Sequence, residues 1–101
     1  MKPLEQTFQE AVLAKVANAA TLGVKPGPAF FTNVQKFGAL AMCQRAIARG
    51  QTLPMFDALC KAGHPAATLE EIVVQRKFAP LFTDEEVNAC FDALVDAGLY
   101  T

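Results

Sequence analysis

Cys60 and His64 stand four residues apart, a spacing that puts two side chains on one face of a helix, and no other cysteine and histidine in the chain lie so close. A thiol beside an imidazole suggests a nucleophile with its base, the arrangement of a thiol-dependent enzyme. With Cys43 or Cys90 joining in space, the same pair would supply part of a tetrahedral zinc site. Both readings meet obstacles in the neighbouring residues. Gly63 and Pro65 flank His64 and are predicted to unwind the backbone there, and the chain holds one histidine and no second close pair. Three cysteines without regular spacing make a poor disulfide framework, so Cys43, Cys60 and Cys90 are expected as reduced thiols among apolar helical neighbours. The expectation is no catalytic residue, no metal and no cofactor.

Other chemistries find less to work with. No glycine-rich phosphate loop is present, and Gly27-Pro28 offers an anion only the amides of an ordinary turn. Most acids fall at predicted helix starts or on wet faces, where capping and solvation account for them. Nucleic-acid binding would have to use Lys15, Lys25, Lys36, Arg45, Arg49 and Lys61. On one continuous helix Lys36 projects opposite Arg45, which breaks the stripe, so nucleic acid is not the expected partner. The net charge of −1 conceals a division: residues 1–67 carry +4 and residues 68–101 carry −5. Such halves attract each other within one chain or between two.

The elements that must position these residues are written in proline, glycine and threonine. Pro3 opens a first helix whose Leu4, Phe8, Val12, Val16 and Ala20 recur every four residues, and Gly23 closes it. Lys25-Pro26-Gly27-Pro28 suggests a type II turn into a second helix over residues 28–49, closed by Gly50. Its stripes, Phe30, Val34, Phe37 and Ala41 beside Leu40, Cys43 and Ile47, merge into a face wide enough for several neighbours. Thr52 is predicted to cap a short third helix bearing Met55, Phe56, Leu59 and Cys60, ended by Gly63. Thr68 and Glu71 suggest a capping box for a fourth, with Leu69, Ile72, Val73 and Arg76 leaning inward and Pro80 ending it. In the last helix Thr83 caps with Glu86, Phe82 and Val87 form a staple, and Val87, Phe91, Leu94 and Val95 point inward. Gly98 stops it, with Leu99 folding back.

The phrase Phe-Asp-Ala-Leu-x-x-Ala-Gly occurs at Phe56–Gly63 and again at Phe91–Gly98, an interval of 35 residues. Two copies whose likeness stops at the phrase describe a common helix ending rather than a solenoid. From Leu53 to Tyr100 the order of parts resembles a winged helix-turn-helix: a helix ending Ala-Gly, a second opening Thr68-Leu69-Glu70-Glu71-Ile72, and a third ending Leu94-Val95-Asp96-Ala97-Gly98-Leu99-Tyr100. The resemblance implies DNA binding by that third helix and a β-hairpin wing after it. Here the third helix begins Asp84-Glu85-Glu86, which would repel phosphates, and the sequence ends at Thr101 before a wing.

The whole is expected to be one domain, residues 1–101, all-α, a compact orthogonal bundle of about five helices around one central apolar helix at residues 28–49. Gln35, Lys36, Gln44 and Arg45 interrupt the richest run, so no membrane span is expected, and an N-terminus rich in acids and glutamines points to the cytoplasm. A hydrophobic fraction of 52% in so small a chain leaves apolar side chains without internal places. The leading expectation is a protein-protein interaction module that self-associates, using Phe31, Met42, Met55 and Leu81. The alternative is a degenerate helix-turn-helix regulator, and a thiol-dependent enzyme comes third.

Overall fold

Pro3 lies in extended geometry and starts α1 (Leu4–Thr21), which buries Phe8, Val12, Val16 and Ala19. The last buried position is Ala19 and not the expected Ala20, because a period of 3.6 needs one step of three after steps of four. Gly23, at φ 84°, terminates the helix, and the amide of Val24 returns to the carbonyl of Ala19 at 3.0 Å. The computed structural model describes residues 3–98, so the expected fold-back of Leu99 lies outside the described residues.

The single helix expected over residues 28–49 is two helices. Gly27 is extended, at φ −66°, and not the left-handed corner of a type II turn; it leads into α2 (Pro28–Phe37), with Pro28 at its first position. Gly38 then takes φ 83° and ψ 150°, a conformation essentially reserved for glycine, and α3 (Ala39–Ala48) sets off in a new direction. The amide of Ala39, freed by the break, donates to Oε1 of Gln9 on α1 at 3.1 Å. Phe30 and Val34 of α2 and Ala39 and Cys43 of α3 enter the core, while Phe37, placed inward by the continuous stripe, is 42% exposed.

Thr52 does not cap a helix either. Left-handed Met55, at φ 72°, precedes the short α4 (Phe56–Lys61), which buries Phe56 and Leu59. After a 3₁₀ turn over Pro65–Ala67 comes α5 (Leu69–Val73), five residues of which Leu69, Glu70, Ile72 and Val73 are buried. The capping box expected at its start is absent: the Thr68 hydroxyl donates to the Pro65 carbonyl at 2.8 Å, and Glu71 pairs with Lys15 at 2.9 Å. That pair joins the basic and acidic parts of the sequence within one chain. The helix stops well before Pro80 because Gln75 is extended, and a 3₁₀ segment over Arg76–Leu81 carries Phe78 inward while Arg76 stays exposed. Phe78 and Phe82 both meet Phe8 edge-on, with ring centroids 5.2 and 5.3 Å apart, a favoured aromatic geometry.

The last helix, α6 (Asp84–Asp96), has the predicted capping box, with the Glu86 amide donating to the Thr83 hydroxyl at 3.1 Å and the Thr83 amide to Glu86 Oε1 at 2.8 Å. Its inward face is turned by one residue: Cys90 and Leu94 are buried, and Phe91 is 44% exposed. The described residues thus form an all-α bundle of six α-helices and two 3₁₀ segments, in which α1 packs against α3, α5 and both 3₁₀ segments, and α5 lies between α1 and α6. No helix among the described residues is long and apolar enough to cross a membrane.

Candidate functional site

Glu70 is 2% exposed at the centre of the bundle. The fold puts it there through the residues three and four positions away along the chain, Ala67, Val73 and Val74, which are themselves buried or half-buried and draw that side of α5 inward. One carboxyl oxygen, Oε2, accepts the amide of Leu53 at 2.8 Å, so the acid ties α5 to the loop between α3 and α4. The other, Oε1, has no hydrogen-bond partner. Burial, opposed by the Leu53 amide and by Glu70's own amide and aided by Asp57, pushes the Glu70 carboxyl up to about 7.

Glu70 lines a cavity of about 130 Å³ together with Ile47 of α3, Gly50, Gln51, Thr52 and Leu53 of the following loop, and Ala89, Cys90 and Ala93 of α6. Burial also pushes the thiols of Cys43 and Cys90 up to about 12, with Glu70 contributing to both. These thiols remain protonated across the biological range. By sequence Glu70 falls among the acids at predicted helix starts. It and Glu71 share Ala67 and Val74 at a spacing of three or four residues and differ at the third neighbour, which is buried Val73 for Glu70 and Gln75 for Glu71, reached at 3.2 Å.

The Cys60 and His64 pair does not assemble. Gly63, at φ 83°, ends the turn after α4, and His64 leaves the helix at φ −123°. His64 is exposed and lines a surface groove with Asn18, Leu22 and Pro65, to which Cys60 does not contribute. No hydrogen bond joins Cys60 to His64 among the described residues. Burial, then Glu70 and Asp57, pushes the Cys60 thiol up, opposite to the activation a nucleophile needs. No group of three or more potential metal ligands occurs among the described residues.

One surface feature comes from the break at Gly38. Lys36 and Arg45, opposed on a continuous helix, both lie over the exposed ring of Phe37, at 5.2 and 4.7 Å from its centroid. That ring, Arg45, Arg49, Asn33, Met42 and Gln51 line a groove of about 300 Å³. On another side, Leu13, Val16, Ala17 and Ala20 of α1 and Lys25, Pro26 and Phe31 line a groove of about 380 Å³. Phe31 is 48% exposed and stands edge-on to buried Phe30 at 5.3 Å. Of the four expected interface residues, only Phe31 is exposed, and that by about half. Met42, Met55 and Leu81 are half-buried against the main core, and the Leu81 carbonyl accepts from Gln44 at 3.0 Å. Phe31 and Met42 line different grooves.

Comparison of the chain with protein-family models, with curated proteins and with solved structures finds no match.

Proposed function

We propose that the protein is a small interaction module that pairs with a second copy of itself through the outer face of α1 and Phe31 of α2. The observation that carries this reading is a knob standing beside a hole on one patch. The half-exposed Phe31 ring is the knob, and Leu13, Ala17 and Ala20, spaced at four and three residues along α1, frame the hole. A knob beside a hole suits a two-fold interface, because residue i of one subunit meets residue j of the other while j meets i. The exposed alanines Ala17 and Ala20 let a second helix approach closely, and Leu13 at 38% exposure extends the apolar surface. The high hydrophobic content of the chain has its outlet here.

Sedimentation equilibrium from low to high micromolar concentration tests the reading. The expected result is a dimer that becomes monomeric in Phe31→Asp and in Ala17→Arg, with helical circular dichroism unchanged. A wild-type protein that stays strictly monomeric at high micromolar concentration, or a dimer untouched by both substitutions, overturns it.

A second reading, binding of duplex DNA through α3, is favoured by the meeting of Lys36 and Arg45 at Phe37, beside Arg49. The contact would lie before Leu53–Tyr100, the stretch with the winged-helix-like order of parts, and away from the acidic start of α6. It predicts a salt-sensitive rise in fluorescence polarisation of labelled duplex DNA that Arg45→Glu abolishes. No rise at low salt refutes it.

A further inference from the structure

We propose that the cavity beside Glu70 is a binding site for a primary alkylammonium group, with the unpartnered Oε1 of Glu70 as its anionic end and the aliphatic walls as the seat of the alkyl stem. An oxygen that is buried and without a partner is costly to leave so, and it marks the place where a donor is missing. No lysine, arginine or histidine lines the cavity.

The size and lining of the cavity narrow the class. A volume of about 130 Å³ holds a few non-hydrogen atoms, and Ile47, Leu53, Ala89, Cys90 and Ala93 present carbon and a neutral thiol to them. The exposed Gln51 and Thr52 mark the open side. A divalent cation needs six or more oxygen ligands, and one carboxyl among aliphatic walls does not provide them. An ammonium needs one strong acceptor and donates the hydrogen bond that Oε1 lacks. The titratable groups around Glu70 are Cys43 of α3, Cys90 of α6, and Asp57 and Cys60 of α4. The Cys43 and Cys90 thiols hold their protons up to about 12 and do not compete for the ligand's charge. Binding a cation ionises Glu70, so the site releases a proton as it fills near neutral pH.

The test is a titration of the 101-residue protein with n-propylammonium chloride, followed through backbone amide resonances, with the amide of Leu53 as the reporter at the carboxyl. The expected result is saturable shifts confined to Leu53 and the cavity walls, with affinity roughly 30-fold tighter at a pH of about 8 than at about 5.5 because only ionised Glu70 binds. Glu70→Gln abolishes the saturation, and so does Ala93→Leu, which fills the cavity and leaves the carboxyl in place. Nα-acetyl-lysine amide, run alongside, decides the source of the amine: binding of both probes supports a lysine side chain from another protein, and binding of propylammonium alone supports a free amine. Shifts reproduced by n-propanol or sodium chloride, saturation that survives both substitutions, or binding of neither amine overturns the proposal.

Discussion

Glu70→Gln should make the protein more stable at neutral and alkaline pH, the reverse of what removal of a charged, hydrogen-bonded side chain ordinarily does. Glutamine keeps an oxygen to accept the Leu53 amide, so the 2.8 Å tie between α5 and the α3–α4 loop survives. The charge is what changes. In the folded protein the carboxyl holds its proton up to about 7, whereas the unfolded chain releases it near the ordinary 4.5. Between those values the native state binds more protons than the unfolded state, so wild-type stability contributed by this group is full at low pH and is lost as pH rises through the window. The difference corresponds to about 3 kcal/mol above pH 7, a large share of the roughly 5–15 kcal/mol that holds a domain of this kind together. The variant has no such loss. Urea unfolding of both proteins at a series of pH values should show near-equal stability at pH about 4.5 and a gap opening to about 3 kcal/mol in favour of glutamine by pH about 8. A carboxyl carbon resonance for Glu70 titrating near 7 would report the same proton directly. A difference that stays flat with pH, or one in which glutamine loses ground as pH rises, would refute the assignment of Glu70 as a buried, protonated acid.

Other consequences of the structure are open to simpler assays. Gly38→Ala forces a side chain into φ 83°, and thermal or urea unfolding should show a loss of about 1–3 kcal/mol even though an added Cβ finds no neighbour nearer than 3.7 Å. Thr83→Ala removes the hydroxyl half of the capping box and should cost about 1 kcal/mol by the same measurement, with serine restoring most of it. Native-state thiol labelling at neutral pH should modify Cys60 alone, and more slowly than a free peptide, while Cys43 and Cys90 react only after unfolding. Rapid native labelling of Cys43 or Cys90 would contradict their burial.

The local signals in the sequence and the long-range facts of the structure divide cleanly. Gly23 and Gly63 as helix stops, Pro28 at a first helical position, and the reciprocal Thr83 and Glu86 cap were legible because each depends on residues a few positions apart, whose backbone geometry the chain settles within itself. The all-helical class followed from the same punctuation together with the apolar stripes. The candidate cavity was not legible, since its lining comes from α3, the loop after it, α5 and α6. Thr68 and Glu71 show the boundary: the same residue types as the cap at Thr83, yet Lys15 from α1 takes the glutamate and Pro65 takes the hydroxyl.

Determined by the sequence alone, then, are the helical class, most helix ends and the surplus of apolar side chains, because turn chemistry and periodicity act over one or two turns of chain. Left to the tertiary structure were the break at Gly38, the rotation of α6 that buries Cys90 in preference to Phe91, the joining of Lys36 and Arg45 on Phe37, and the enclosure of Glu70. Each depends on which distant segment arrives as neighbour. A glycine in a helical run permits continuation or a break, and the Gln9 side chain of α1, waiting for the Ala39 amide, supports the break. A glutamate at a helix start suits water or an interior amide equally in the local code, and the close approach of the Leu53 loop and α6 to α5 removed the water.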